Sequence, residues 1–226
     1  MAAAVAQLLL FVGVVVSSFC LHGALGTTIN MDDLDFIPEL KQRQAFDSDD
    51  FIFKFKKTSD LTPFGNLRPM FVDFNPVLAT LPGDGASQNL VTVGPCAINQ
   101  PHNHPRATQI SHLTEGELFF GFAEENGGRS FVGGNATKGQ TVIIPQGVIH
   151  FAQNLGCKEA QFIASFPHRD PGTQTTASTF FKLPLSVIRA TTGLTNQEIK
   201  KIQASVAANP NPSLDKECAK RCGIKY

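Results

Sequence analysis

Three histidines stand in two Pro-containing segments, and their spacing suits a metal site. His102 and His104 are two residues apart in segment 101–109, so on an extended strand both rings project from one face. His150 follows in segment 145–154, after a further Gly/Pro turn. Three neutral imidazoles that converge from two strands are good ligands for a divalent transition metal and leave positions open for small ligands. The pattern predicts a metal centre at these histidines; the alternative is that they are ordinary polar residues at a barrel mouth.

Short segments with strand character must position these side chains. Gly, Pro and Asn separate them, and their number predicts an all-β fold, an antiparallel sandwich or barrel. The predicted strands are 51–56, 68–74, 89–98, 107–113, 117–123, 140–144, 148–153 and 160–166. Four phenylalanines are predicted to belong to the core rather than to a substrate pocket: Phe119, Phe120, Phe122 and Phe151.

The character of the chain changes after Pro171-Gly172, where helical patterns begin. A short helix is predicted over Leu185–Thr192. A capping box from Thr195 to Glu198 starts a second, with an apolar stripe of Ile199, Ile202 and Val206. A third is predicted to begin at Ser213 and to end near Gly223. The predicted organisation is therefore a barrel over 51–182 followed by a helical tail over 183–226.

The first 50 residues are predicted to lie outside the barrel. Residues 1–26 carry no charge, contain an apolar run from Leu8 to Val16 and end in small residues, which predicts a removed signal peptide and an extracellular protein. A membrane anchor is the alternative, although the run is short for a span. Residues 27–50 are polar and predict an N-terminal arm. With 19 basic and 19 acidic residues and no basic patch, the chain is not expected to bind nucleic acid.

Cysteines and a sequon also indicate secretion. Beyond Cys20, four cysteines remain: Cys96, Cys157, Cys218 and Cys222. An even number in a secreted chain favours disulfides, with three connectivities open. Asn135-Ala136-Thr137 predicts N-glycosylation of Asn135 in a surface loop.

Two longer motifs resemble those of germin-like proteins, with features of the spherulin-type branch of the cupin superfamily. The first runs from Gly94 through Gln100-Pro101-His102-Asn103-His104-Pro105-Arg106-Ala107-Thr108 to Glu115-Gly116-Glu117-Leu118 and Gly121-Phe122. The second runs from Gly139 to Asn154, with Pro145, Gly147 and His150 at its fixed positions. Ser165-Phe166, Asp170-Pro171-Gly172 and 180–184 resemble the spherulin branch. The N-terminal cysteine pair usual in plant germins is missing. The resemblance implies a cupin jelly-roll barrel.

The same resemblance implies a divalent metal held by three histidines and one glutamate. It assigns His102, His104 and His150 as ligands and puts Gln109 where the family has the glutamate. Manganese is the ion implied first, and zinc, iron or copper are alternatives. Glutamine offers a neutral oxygen, so manganese should be held less tightly, and the site can also be vestigial. Glu115, Glu117 and His112 are weaker candidates to replace the missing acid.

Two functions remain open from the resemblance. One is an oxidoreductase of the oxalate oxidase or superoxide dismutase type, acting on a small anion or a dioxygen species. The other is a non-catalytic secreted storage, matrix or encystment protein with a weakened site. The family forms dimers, often trimers of dimers, so the chain is expected to associate with itself.

Within the implied fold, strand register predicts the disulfides. If His102 lies opposite His150, then Cys96 lies nearly opposite Cys157, which predicts a Cys96–Cys157 bridge. Cys218 and Cys222 are then left on one face of the last helix, where they are predicted to pair; the alternative is that they stay as neighbouring thiols. Two asparagines are also singled out. Asn154 is expected to make turn hydrogen bonds. Asn99 is expected to have an ordinary structural role; the alternative is that it reaches the mouth of the pocket and orients a small ligand. His168 is expected at the surface.

Overall fold

A computed structural model describes residues 38–55, 65–73, 75–206 and 213–225. The chain divides into two units, Met1–Gln42 and Arg43–Tyr226. In the first unit the described residues belong to helix α1 (Pro38–Arg43), which ends at the boundary. The predicted signal peptide, 1–26, and residues 27–37 of the predicted arm lie outside the described residues. No helix in the described ranges is long and apolar enough to span a membrane. The strands and the remaining helices belong to the second unit.

Two antiparallel sheets form the jelly-roll sandwich that the sequence predicted. The first sheet has the order β1-β2-β9-β4-β7 and the second the order β10-β3-β8-β5-β6, with β11 beside β3. The strands are β1 (Gly65–Met70), β2 (Ser87–Val93), β3 (Ala97–Asn103), β4 (Gln109–Glu115), β5 (Glu117–Ala123), β6 (Val132–Thr137), β7 (Thr141–Ile144), β8 (Ile149–Gln153), β9 (Ala160–Phe166), β10 (Gln174–Thr175) and β11 (Ser213–Leu214).

The core lies between the sheets and follows the alternation of each strand. Leu113, Leu118 and Phe162 are fully buried there. Of the four phenylalanines predicted in the core, Phe120 is buried and Phe122, on the same side of β5, is half-buried. Phe119 has the opposite parity on β5 and lies on the outer face of the second sheet, where it contacts Phe151. The core prediction was therefore wrong for these two rings.

Two predicted strands differ from the structure, and one strand was not predicted. Residues 48–51 form a 3-10 helix because the Asp47 side chain accepts hydrogen bonds from two backbone amides, and residues 53–55 are irregular, so the described part of segment 51–56 is not a strand. Segment 89–98 is broken where Cys96 adopts a left-handed φ of 57° between β2 and β3. Strand β6 was missed because its Gly-rich sequence has low strand propensity; its pairing with β5 overrides that propensity.

The helical tail agrees well with the sequence. Helix α3 (Leu185–Thr192) has the predicted bounds, and helix α4 (Asn196–Ser205) begins at the predicted capping box. Helix α5 (Lys216–Arg221) is capped by Asp215 rather than Ser213, because Ser213 is part of β11. Helix α2 (Thr176–Phe180) and a 3-10 helix at Pro76–Thr80 were not predicted.

The predicted disulfide pairing is wrong. The bridges are Cys96–Cys218 and Cys157–Cys222. The register behind the prediction holds, since Ile98 lies opposite Gln153 and His102 opposite His150. The ladder nevertheless stops before either cysteine, and β11 docks on the other side of β3, opposite Ala97 and Ile98. The Asp215 amide donates to the Cys96 carbonyl at 2.8 Å, so α5 begins beside Cys96 and offers Cys218 to it.

Candidate metal centre

The two histidine segments meet between the sheets. His102 is on β3, His104 follows the end of β3, and His150 is on β8 directly opposite His102. One ligand nitrogen from each ring lies within 4.8 Å of the others. Gln109 begins β4 on the facing sheet, and all four residues are only 2–6 % exposed. The structure thus brings together the four residues that the resemblance assigned to the metal.

A β-bulge sets the direction of the histidines on β3. The pairing of β3 with β8 shifts between Asn99 and His102, which inserts an extra residue into β3. As a result the inward-facing residues of this segment have odd numbers before the bulge, as Asn99 does, and even numbers after it, as His102 and His104 do. Without the bulge, a strand that buries Asn99 would turn both histidines outward.

Backbone carbonyls fix the protonation of all three rings. The Nδ1 atom of His102 lies 2.7 Å from the Gln100 carbonyl, that of His104 2.5 Å from the Gly172 carbonyl, and that of His150 3.1 Å from the Val148 carbonyl. A carbonyl oxygen only accepts, so each neutral ring carries its proton on Nδ1. Each Nε2 therefore presents a lone pair toward the interior, which is the arrangement of metal-binding histidines held by backbone partners.

Gln109 adds a fourth acceptor to this group. Its Nε2 donates to the Oγ of buried Ser111 at 2.7 Å, and its Oε1 lies 3.1 Å from the Nε2 of His150. With the His150 proton on Nδ1, two lone pairs face each other across that distance. With its oxygen toward the three imidazoles, the Gln109 amide offers a neutral oxygen ligand to an ion held between them.

Burial keeps the rings neutral. The pKa of His102 is well below its ordinary value because the ring is desolvated and lies beside His150 and His104, an effect that the Gln100 carbonyl opposes. Desolvation also lowers the pKa of His104, against the Gly172 carbonyl. It lowers the pKa of His150 to about 4, against the Val148 carbonyl. Neutral imidazole is the form that binds a metal, so protons hardly compete at neutral pH.

The weaker candidates for the missing acid lie elsewhere. Glu115 is exposed at the far end of β4 and pairs with Lys138 at 2.9 Å, and Glu117 is exposed at the start of β5. His112 is exposed on the outer face, where its Nδ1 lies 3.0 Å from the Thr141 hydroxyl. Gln109 is therefore the residue at the fourth position.

Other predicted residues have structural surroundings. Asn154 donates to the carbonyls of Val93 and Lys158 and accepts from the Gly156 amide, the turn bonds that were predicted. Asn99 is 5 % exposed, and among the described residues its Oδ1 has no hydrogen-bond partner. His168, predicted at the surface, is half-buried, and its Nδ1 accepts from the Asp170 amide at 3.0 Å.

Sequence reasoning missed the groups that hold the ligands. Ser111 shares the parity of Gln109 on β4, a signal that was available. The carbonyl that holds His104 belongs to Gly172, whose φ of 69° favours glycine. Arg106 fixes this loop through a hydrogen bond from its Nε to the Asp170 carbonyl at 2.7 Å and an ion pair with the Asp170 carboxylate at 2.5 Å. Those contacts link segments more than sixty residues apart, so no local pattern reveals them.

The predicted glycosylation sequon is on a strand. Asn135 is exposed on β6, an edge strand of the second sheet, rather than in a surface loop. Its partner across the ladder is Phe119.

The chain is similar to known proteins over most of its length. The family model described as Cupin matches residues 56–200. Spherulin-1A of Physarum polycephalum is 33 % identical over 193 residues, which cover 85 % of this chain and 75 % of that protein. A probable germin-like protein, subfamily 2 member 5, of Arabidopsis thaliana is 35 % identical over 124 residues, 54 % of this chain and 57 % of that protein.

Solved structures show the same relationship. A recombinant oxalate oxidase in complex with glycolate has a TM-score of 0.66 and 28 % identity, and the match covers 74 % of this chain and 85 % of that one.

Proposed function

Because the chain belongs to the cupin family, among the spherulins and germin-like proteins, we propose that it is a secreted protein that holds a divalent transition metal. The ligands are the Nε2 atoms of His102, His104 and His150 and the Oε1 atom of Gln109. One observation carries this proposal: four acceptors face one another in a buried pocket, and their other polar atoms are already bonded to carbonyls or to Ser111. A cation satisfies all four at once.

The neutral donor set determines which ion is preferred. Manganese is the metal that the family resemblance implies, but it gains most from a carboxylate and is the weakest binder of nitrogen ligands among the first-row divalent ions. Zinc, copper and iron bind three imidazoles well without a charged ligand. We therefore expect one of these three ions to displace manganese when all are supplied together.

A structural role for the metal suits this site best. Its ligands come from β3, β4 and β8 and the turn after β3, so a bound ion joins the two sheets at one end of the barrel. This role needs no open coordination position and no charge balance from a carboxylate. It supports the second of the two functions implied by the resemblance, a non-catalytic extracellular storage, matrix or encystment protein.

An oxidoreductase remains the second candidate, and two observations favour it. The structural neighbour at 28 % identity is an oxalate oxidase in complex with glycolate, and in this chain Asn99 is buried on β3 with an Oδ1 that has no partner among the described residues. A redox-active ion would supply the electron transfer, and the Asn99 amide group would orient a small carboxylate or a dioxygen species. The small-ligand partner expected from the resemblance belongs to this candidate alone.

Extracellular location is supported by the leader sequence and by the cysteines. Both described disulfides join the barrel to the tail, and such bridges persist in oxidising compartments.

Self-association is also part of the proposal, but the contact surface differs from the one that the sequence suggested. Ile199, the first residue of the apolar stripe, is fully buried by its own subunit, and Ile202 and Val206 are half-buried, so the stripe offers less exposed apolar surface than the sequence suggested. Leu183 and Val187 are more than 40 % exposed on the tail instead. We expect at least a dimer by sedimentation velocity at micromolar concentration. A Val187→Asp substitution should weaken it, and a monomeric wild type would contradict the expectation.

Metal analysis tests the metal proposal. The full chain is secreted from eukaryotic cells, purified without chelators, and analysed by mass spectrometry for elements, with medium that supplies equal manganese, iron, zinc and copper. We expect about one equivalent of zinc, copper or iron, lost in a His102→Ala/His150→Ala variant and kept in a His112→Ala control. Absence of metal in the folded wild type overturns the proposal. Oxidation of oxalate or dismutation of superoxide by the loaded protein would favour the second candidate.

A further inference from the structure

Three phenylalanines form a cluster on the outer face of the second sheet. Phe119 is on β5, Phe151 is on β8, and Phe131 precedes β6. The centroids of Phe119 and Phe151 are 5.7 Å apart, those of Phe119 and Phe131 are 6.2 Å apart, and Phe131 stacks on Phe151 at 6.2 Å with an angle of 15° between the rings. We call these three residues the outer aromatic cluster.

Two glycines make room for the cluster. A Cβ atom on Gly121 or on Gly133 would lie 2.5–2.6 Å from ring carbons of Phe131, closer than real Cβ contacts come. The Phe131 ring therefore lies flat over a patch of sheet that has no side chains, while half of it stays exposed. The outer aromatic cluster therefore leaves aromatic surface exposed on the outside of the barrel.

The sequon stands at the edge of this surface. Asn135 is directly opposite Phe119 in the ladder of β5 and β6, so their side chains project from the same face and neighbour each other. Strand β6 is an edge strand, and both Asn135 and Thr137 are exposed. A groove of about 490 Å³ begins at the side chains of Phe119 and Asn135 and is lined beyond them by the polar residues Glu117, Lys158 and Glu159.

We propose that Asn135 carries an N-linked glycan whose first N-acetylglucosamine packs against Phe119 and Phe131. This inference rests on the proposed secretion of the chain, which gives access to the donor, a polyprenyl diphosphate-linked oligosaccharide. In the transfer, the Nδ2 atom of Asn135 forms a bond to C1 of the sugar and gives up one proton to a base of the transferring enzyme. The bond from C1 to the diphosphate oxygen breaks, and the polyprenyl diphosphate leaves; no oxidation occurs.

A sugar matches both halves of the surface. One face of a pyranose ring presents C–H groups, which pack on the negative face of an aromatic ring. Its hydroxyl and acetamide groups need polar partners, and the groove offers a cation at Lys158 and carboxylates at Glu117 and Glu159. A glycan at this position covers exposed aromatic rings that would otherwise favour association. It also keeps a second copy of the chain away from the cluster.

The test uses the full chain secreted from eukaryotic cells and trimmed by an endoglycosidase to a single N-acetylglucosamine. Peptide mapping is expected to find this sugar on Asn135. In isotope-edited spectra of the trimmed protein, its ring and acetyl protons should show nuclear Overhauser contacts to the Phe119 and Phe131 rings. Relative to Asn135→Gln, the sugar should raise the melting temperature by about 2–4 °C. In a Phe119→Thr background the same comparison should show no increase.

A matched control moves the sequon away from the outer aromatic cluster, to the other sheet. Thr141→Asn with Ile143→Thr creates a sequon on β7, an edge strand of the first sheet, in the Asn135→Gln background. Its sugar is expected to leave the melting temperature unchanged. An equal increase there, an unmodified Asn135, or missing contacts to the rings overturns the proposal.

Two further measurements separate the alternatives. A dimer in the Asn135→Gln protein that Phe119→Thr converts to monomer assigns the cluster to a second copy and also overturns the proposal. Retention of the chain inside the cells contradicts secretion and removes both proposals together. If the protein is secreted and binds metal but shows no packed sugar, only the glycan proposal is overturned. If the sugar packs on protein that is free of metal, the glycan proposal holds and the proposed metal binding is contradicted.

Discussion

Replacing Gln109 by glutamate returns a negative charge to the metal pocket without removing a hydrogen bond. The Ser111 hydroxyl, 2.7 Å from Gln109 Nε2, accepts from an amide but donates equally well to a carboxylate. The carboxylate would lie beside an ion held by histidine nitrogens that are within 4.8 Å of one another. At about 4 Å and an effective dielectric constant of about 20, a charge and a divalent ion attract by about 8 kcal/mol. Burying the carboxylate costs about 4–6 kcal/mol of this.

The remaining gain, about 2–4 kcal/mol, corresponds to manganese binding that is about 30- to 1,000-fold tighter in Gln109→Glu. Isothermal titration of chelator-stripped protein measures it, with His112→Asn as the control because His112 is exposed on the outer face of the same strand. The reasoning is refuted if wild type and Gln109→Glu bind manganese equally, or if wild type prefers manganese to zinc.

Three further predictions concern the pocket and the tail. Metal-free protein should lose at least about 3 kcal/mol of unfolding free energy between pH 6.5 and pH 4 in urea titrations, because His150 alone accounts for about that much and the lowered pKa values of His102 and His104 add to it. His150 has its pKa lowered to about 4 in the fold, so the unfolded chain takes up the proton first; bound metal should abolish the loss. Ser111→Ala leaves the buried amide of Gln109 without its hydrogen-bond acceptor, so it should lower the free energy of unfolding by about 1–3 kcal/mol. Zinc binding should become about 10- to 100-fold weaker, whereas Ser111→Thr should retain the zinc affinity. Non-reducing peptide maps should show Cys96–Cys218 and Cys157–Cys222, and Cys157→Ser/Cys222→Ser should lower stability by about 2–4 kcal/mol; unchanged denaturation midpoints would contradict each stability prediction.

The sequence predicted correctly those helices that depend on interactions between residues close together in the chain. The helix at Leu185–Thr192 and the Thr195 capping box follow from short-range periodicity and from one side chain reaching one backbone amide. The opposition of His102 and His150 was assumed in order to set the register of the implied fold, and the structure has these two residues opposite each other. The strand predicted at 51–56 was wrong because a local competitor, the Asp47 cap, was not weighed against the alternating phenylalanines.

The residues that hold the ligands were beyond local reasoning. The carbonyl beside His104 comes from Gly172, sixty-eight residues away, and the bulge at Asn99–His102 shows itself only through pairing with β8. The alternation of residues along a strand does not indicate the residue at which the inward-facing positions change from odd to even. Sequence therefore identifies the ligands by type and motif, whereas their directions depend on long-range contacts.

The cysteines show how a correct register can yield an incorrect bridge. A disulfide needs two Cβ atoms within about 4.5 Å, and opposition in a ladder supplies this only while both residues remain in the ladder. Cys96 has left it through a left-handed turn, and Cys157 lies in the loop after β8. The two residues of β11 then determine the disulfide pairing. Their pairing with β3 places α5 beside Cys96, which bonds to Cys218, so that Cys222 bonds to Cys157. So short a strand carries no periodic signal, although it determines how both bridges bind the tail to the barrel.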